Sequence, residues 1–405
     1  MKRKVFLFSL MALLVLGFTF IPITASANEI ETGVMTASDY SFVVDSIEKY
    51  YRNKDLGAAN DISSYFSEEL QMLLEAKIEM DSYQRQTYDL TYRDYQISIM
   101  PFDEEAWYKV NNETFLTLQV VRTWYYNSEQ TTMSEVLNVI MCNDGASCLI
   151  TGCYDKCESI TYGPIDELFQ NALNAQNARS TYDIDTLLND YITDFKVQCD
   201  EKEAEMEEIS QNSSTIDKEI SPLNSTSLTR TDIKNWARNN YNQTTPTSAI
   251  SVSYYDFSQI DGAYDCTNFV SHALAAGGAT LHDNGSSGIT GTDQWYYRST
   301  SNRSSSWAGV NQLYSFLTRS NPSDSNIGPY ATEKTLTYAN AYTGDIVQGH
   351  NGTTWRHSTI VTKFENSQVY VTGRTSPGVY NDNQLATTIY GTQRLLHLEG
   401  NYSGQ

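Results

Sequence analysis

Beyond residue 20 the sequence has no long apolar run free of charge, and along its whole length it is short of bases: 27 Lys and Arg stand against 49 Asp and Glu. The first absence leaves no later segment near the roughly 20 residues that a membrane-spanning helix needs. The second gives a formal net charge of −22, which argues against a nucleic acid or an anionic membrane surface as partner. Cysteine is scarce and unevenly placed. Six are present, at 142, 148, 153, 157, 199 and 266, and only the last lies in the C-terminal part. Their spacing lacks the paired C-x2-C pattern of zinc sites, so neither a metal nor another cofactor is expected.

Lys2, Arg3 and Lys4, then the apolar stretch from Val5 to Phe20, then Ala25-Ser26-Ala27 have the order of a secretory signal. The expectation is cleavage before Asn28 and a product that is secreted or associated with the cell wall, with no membrane span after signal removal. In an oxidising compartment the five cysteines between 142 and 199 read as one or two local disulfides with a thiol left over. Cys142 and Cys148 flank Asp144-Gly145, a hairpin-turn signal that would set them opposite each other.

A chain of this length exceeds what one core usually serves, and two domains are expected. Residues 28–199 read as an α+β domain. Val43, Val44, Ile47, Tyr50 and Tyr51 have helical spacing, as do Ile62, Phe66, Leu70, Leu73 and Leu74. Between Thr87 and Thr151 β-branched and aromatic runs alternate with turn residues, which predicts antiparallel strands. Helical spacing returns at 165–198. Helices, strands, helices is an order similar to nuclear transport factor 2-like domains, whose pocket here would be filled by aromatics such as Trp107, Trp124, Tyr125 and Tyr126. Residues 200–228, acidic and then rich in Ser, Thr and Asn, read as a linker to a domain at 229–402.

The chemistry converges on Asp265-Cys266-Thr267-Asn268-Phe269-Val270-Ser271-His272. Phe269, Val270, Ala273 and Leu274 give a buried helix face, Gly277-Gly278 a stop, and Asp265 suits the N-cap. Cys266 then stands in the first turn, where the helix dipole and free N–H groups favour the thiolate. A small buried hydrophobe is the plain alternative for one such cysteine. His357, at the head of the strand-like run Ser358-Thr359-Ile360-Val361-Thr362, tips the balance, because an imidazole in reach can take the thiol proton and hand it to a leaving amine.

These strings, with Gly344-Asp345-Ile346-Val347-Gln348, resemble the putative amidase domain family of exported bacterial proteins, within the papain-like cysteine hydrolases. The resemblance covers about residues 229–402. It implies a helix bearing the cysteine packed on an antiparallel sheet bearing the histidine, a Cys266 nucleophile, a His357 base and a peptide or peptidoglycan-like substrate. The family places a polar residue on the strand after the histidine. With a turn at Glu365 to Gln368, His357 would face Ser376 and share its side with Thr372 and Arg374. Arg374 takes the matching place here, where it is ill suited in chemistry, since a guanidinium donates but cannot accept from an imidazole N–H; Thr372, Ser376, Asn381 or a backbone carbonyl are the alternatives. Asp265 is a cap or an oxyanion neighbour, and the Cys266 N–H an oxyanion donor. Trp295 and Trp355 are candidates for a substrate cleft, with core packing as the competing role. His272 is expected to be exposed, while His282, His350 and His397 carry no partner signal. The leading reading is an exported cysteine amidase; the alternative, which Arg374 sustains, is a weak or inactive hydrolase acting as a cell-surface binding module.

Overall fold

The computed structural model describes residues 35–103, 107–110, 112–126, 128–143, 147–155, 163–177, 183–212, 228–260, 263–319, 327–389 and 391–403. The expected leader at 1–27, the Asp144-Gly145 turn, Cys157 and residues 213–227 of the expected linker lie outside these. No helix among the described residues is long and apolar enough to cross a membrane.

Thr36 accepts from the Asp39 N–H at 3.1 Å and starts α1 (Ala37–Leu56), which Gly57 ends at φ 66°. Ser67 likewise caps α2 (Glu68–Thr87). Val43, Ile47, Tyr50 and Tyr51 line the buried face of α1, as their spacing predicts. Ile62 and Phe66 were expected on the second helix but precede it, because Phe66 forms a bridge with Ile150. Five strands follow: β1 (Arg93–Pro101), β2 (Trp107–Val110), β3 (Glu113–Tyr126), β4 (Glu129–Asn143) and β5 (Cys148–Asp155). Then come α3 (Gly163–Asn177) and α4 (Ile184–Asn212). The acidic run at 200–208 therefore continues α4 and is not linker.

The C-terminal half comprises α5 (Arg230–Asn240), α6 (Cys266–Ala276), the short strands β6 (Ile289–Thr290), β7 (Tyr297–Ser299) and β8 (Asn302–Ser304), α7 (Ser305–Ala308) and α8 (Val310–Leu317). After them run β9 (Ile327–Lys334), β10 (Ile346–His350), β11 (Trp355–Glu365), β12 (Gln368–Ser376), β13 (Val379–Leu385) and β14 (Gln393–Ser403). The chain is thus mixed α+β, built on a large antiparallel sheet. Ile346, Ile360, Leu396 and Leu398 face the core formed with α5 and α6, while Val347, Val361, Val371 and Leu395 line the other face.

Both halves share that sheet. Its order is β1-β3-β4-β13-β12-β11-β10-β14-β9, with β2 added to β3 and β5 to β4. The edge of β4 is divided: Leu137–Asn143 pair with β5, and Thr132, Met133 and Ser134 pair with Asp382, Asn381 and Tyr380 of β13. An unpaired strand edge is a liability, and β13 covers the part that β5 leaves open. Thr131 Oγ1 donates to the Asn383 carbonyl at 3.0 Å, and Arg238 bridges Glu129 and Asp382 at 3.4 and 3.1 Å. Tyr370 and Leu385 belong to the N-terminal core.

The disulfide expectation is corrected. Cys142, Cys148, Cys153 and Cys199 are free thiols. Cys148 pairs in register with Asn143, so Cys142 and Cys148 point to opposite faces of the hairpin.

The β12–β13 hairpin abuts the N-terminal half at Gly378, which has φ 80° and where an added Cβ would meet Phe102 Cε2 at 2.6 Å and Val136 Cγ2 at 3.0 Å. Gly378→Ala is therefore expected to cost about 1–3 kcal/mol, as overpacking at a left-handed position. A denaturant midpoint unchanged from wild type would contradict this fit.

Candidate active site

Nearly all of α6 is buried. Phe269, Val270, Ala273 and Leu274 pack without exposure, as their spacing predicts, and the Gly277 N–H closes the helix on the Ala273 carbonyl. Cys266 is its first residue and is 2 % exposed. Its thiol donates to the Arg356 carbonyl at 3.8 Å and lies 3.8 Å from Thr267 Oγ1. The Ser358 N–H also donates to the sulfur. Arg356 and Ser358 flank His357, so the sulfur sits against the peptide of the histidine that the sequence paired with it. The two residues are 91 positions apart in the chain, and the packing of α6 on β11 sets the sulfur against the backbone on either side of His357, while the imidazole turns to the Gly373 side of the sheet and makes no hydrogen bond to the thiol. Thr267 Oγ1, 3.3 Å from Ser358 Oγ, fixes that contact, and Gln348 Nε2 donates to the same Ser358 hydroxyl at 3.0 Å.

The hairpin carrying His357 begins as expected, with Glu365 opposite Gln368 and Lys363 opposite Tyr370. Thr362 then bulges. Beyond it Val361 faces Val371 and Ile360 faces Thr372, a slip of one residue. Because side chains alternate across a strand, that slip moves Thr372 and Arg374 to the helix side and brings Gly373 beneath His357. A Cβ on Gly373 would lie 3.3 Å from His357 Nε2 and 3.0 Å from Asn381 Oδ1. Asn381 stands opposite Gly373 on β13 and donates to the Val371 carbonyl at 3.4 Å. Glycine thus leaves room for the imidazole and the amide oxygen to border the same space.

Thr372 instead donates to Asp382 at 2.7 Å. Arg374 has no exposure: Nε donates to Asp265 and Nη2 to Asp256, each at 3.1 Å, and Nη1 to the Gln243 carbonyl at 2.6 Å. Asp265 precedes the helix as expected, yet its carboxylate makes no cap. It accepts from Tyr254 Oη at 2.5 Å, the Phe257 N–H at 3.0 Å and Asn268 Nδ2 at 2.9 Å, while its own N–H donates to the Thr375 carbonyl at 2.8 Å. Burial, and after it Asp256, push the Asp265 carboxyl up to about 7 against Arg374 and Tyr254. With one guanidinium between two carboxylates, a proton retained on Asp265 leaves no excess buried charge. Neither residue orients His357; together they moor the start of α6 to β12.

Trp295 is fully buried in the core, with Nε1 donating to Ser271 Oγ at 3.1 Å, so it cannot wall a cleft. Trp355 is half-buried under the Arg394 guanidinium, 3.9 Å from the ring. His272, expected in solvent, is enclosed by Trp236, Tyr254 and Trp307; its Nδ1 accepts from the Ala249 N–H at 3.2 Å, and burial drops its pKa to about 3. His397 has a partner after all, Asp345 at 2.8 Å. Asp345 also holds Arg230 at 2.6 Å, so the Gly344-Asp345 turn is a structural anchor. Among the described residues no group of three or more His, Cys, Asp or Glu side chains could hold a metal ion.

Residues 227–396 match the family described as "Putative amidase domain". That segment, less than half of the chain, is similar to this family. No curated protein and no solved structure matches the chain. The family description supports amide hydrolysis, and the amidase segment contains both Cys266 and His357.

Protonation in this segment differs from the sequence expectation. Burial raises the Cys266 thiol above its usual value, outweighing the Ser358 N–H and Thr267. Burial also lowers His357 to about 4. Both groups are therefore neutral at rest. The rate of Cys266 alkylation by iodoacetamide should climb steadily between about pH 6 and 9, with no plateau from a preformed thiolate. A plateau beginning near pH 6 would contradict the neutral pair.

Proposed function

We propose that the chain is an exported cysteine amidase that cleaves an amide bond in a peptide or peptidoglycan-like substrate through a Cys266 acyl-enzyme. The observation that carries this reading is the Cys266 sulfur lying against the His357 peptide at the start of a buried helix. The papain-like description of the C-terminal half rests on the same pairing, and the transport-factor-like description of the N-terminal half on its order of elements. Export rests on residues 1–27 of the sequence.

His357, neutral above about pH 4, accepts the thiol proton as sulfur attacks the amide carbonyl carbon. The resulting oxyanion meets the Cys266 N–H, which at a helix start has no partner within the helix. The imidazolium gives its proton to the leaving amine as the C–N bond breaks. Water then loses a proton to His357, attacks the thioester and frees the acid and Cys266. In this reading Asn381 Oδ1, which borders the same space over Gly373 as His357 Nε2, accepts the Nε2 proton when the ring turns to react, and Nδ1 takes the thiol proton. The binding-module reading drew its support from Arg374 in the orienting place, and Arg374 points to the other side of the sheet.

Wild-type protein incubated with purified peptidoglycan is expected to expose new amines, and Cys266→Ala and His357→Ala to expose none. Equal release by wild type and Cys266→Ala would overturn the reading. Asn381→Ala should lower kcat by about tenfold or more with KM nearly unchanged and shift its pH profile, as loss of a positioning residue does.

A further inference from the structure

A cavity of about 150 Å³ lies between the two halves and reaches Tyr264, Arg356, His357 and Asn381. Its far side belongs to the N-terminal half. There Arg122, 2 % exposed, grips Asp55 with Nη1 at 2.8 and 2.9 Å and Glu135 with Nη2 at 2.7 Å. Lys54 Nζ stands 3.8 Å from Asp55 and 3.6 Å from Asp81. Four carboxylates, Asp55, Asp81, Glu135 and Asp155, thus line the cavity against three cations, Lys54, Arg122 and Arg356. Burial works to raise Asp55 and Glu135, yet Arg122 and Lys54 hold both below the usual carboxylate value, so the excess negative charge persists. Trp124, stacked on Tyr92 at 4.8 Å and with the Arg122 guanidinium 5.9 Å from its ring, lines the same space. Arg122 Nε is buried without a hydrogen-bond partner.

We propose that this cavity is the substrate pocket and that it takes a single residue bearing an ammonium group, with the amide to be cleaved at the His357 end. The proposal rests on the reading of Cys266 and His357 as the reacting pair. An ammonium answers the unbalanced carboxylates. A carbonyl oxygen on the same residue answers the spare Arg122 N–H. A cavity of about 150 Å³ has room for the side chain of one residue. The N-terminal half is on this account the specificity wall of the site, and the β4–β13 pairing holds it in place.

The test is protection of Cys266 from iodoacetamide in the full chain. The probes are alaninamide (α-ammonium), N-acetyl-lysinamide (side-chain ammonium), N-acetyl-alaninamide (neutral) and N-acetylglutamate (anionic). One of the ammonium probes should protect at concentrations about tenfold below the neutral one, and the better of the two identifies the source of the ammonium. Asp81→Asn, which changes a side chain 18 % exposed, should reduce that preference by about threefold or more. Equal protection by the neutral or anionic probe overturns the proposal, and so does an unchanged preference in a folded Asp81→Asn protein. If His357→Ala leaves amine release intact while an ammonium probe still protects, the amidase reading falls and the pocket stands. Release that needs both Cys266 and His357, without selective protection, removes the pocket alone.

Discussion

Arg374 and Asp265 lie on different elements, have no contact with water and meet at 3.1 Å. Their pairing fixes the height and tilt of α6 over β12, and everything at the start of that helix inherits the constraint. Removing one member of a buried pair typically costs about 3–5 kcal/mol, because the other is left uncompensated. Two further ties act at the same place: Tyr254 holds the second side of the Asp265 carboxyl, and the Asp265 N–H holds the Thr375 carbonyl of β12. The Cys266 sulfur therefore has little freedom beside the peptide of His357. That is the kind of preorganisation a reacting pair requires, since small misplacements are costly in rate.

The second constraint is the shared sheet. Asn381 occupies the strand of the C-terminal half that is hydrogen-bonded to the N-terminal half, facing Gly373 on one side and Met133 on the other. The N-terminal half is thereby joined by backbone hydrogen bonds to the strand nearest the candidate site. Its charged cluster around Arg122 then faces His357 across a cavity instead of facing solvent. Burial also explains why both Cys266 and His357 are neutral at rest: each charged form would lose its hydration.

Much of this was legible beforehand. The spacing of Phe269, Val270, Ala273 and Leu274 located the helix, and the strand-like run after His357 located its partner, because periodicity reports which face is buried. The Glu365–Gln368 turn was also placed correctly. The side of the sheet on which Thr372 and Arg374 fall was not, because a single bulge at Thr362 inverts it and no local signal marks a bulge at a threonine between strand formers. Asn381 was only one among several alternatives for the same reason. Trp295 and His272 were misjudged because a polar ring atom says nothing of its surroundings until its hydrogen-bond partner is known, here Ser271 and the Ala249 N–H.

The sequence by itself determined most of the elements, the α+β class and the amidase resemblance, because each depends on periodicity or on a contiguous string. Tertiary structure alone decided the register of β12, the duty of Arg374 as an anchor, the place of Asn381 and the union of the two halves through β4 and β13. Those features depend on strand pairing and on the burial of charge. The anchor and the union of the halves join residues more than a hundred positions apart, and the register turns on a bulge that no local pattern encodes.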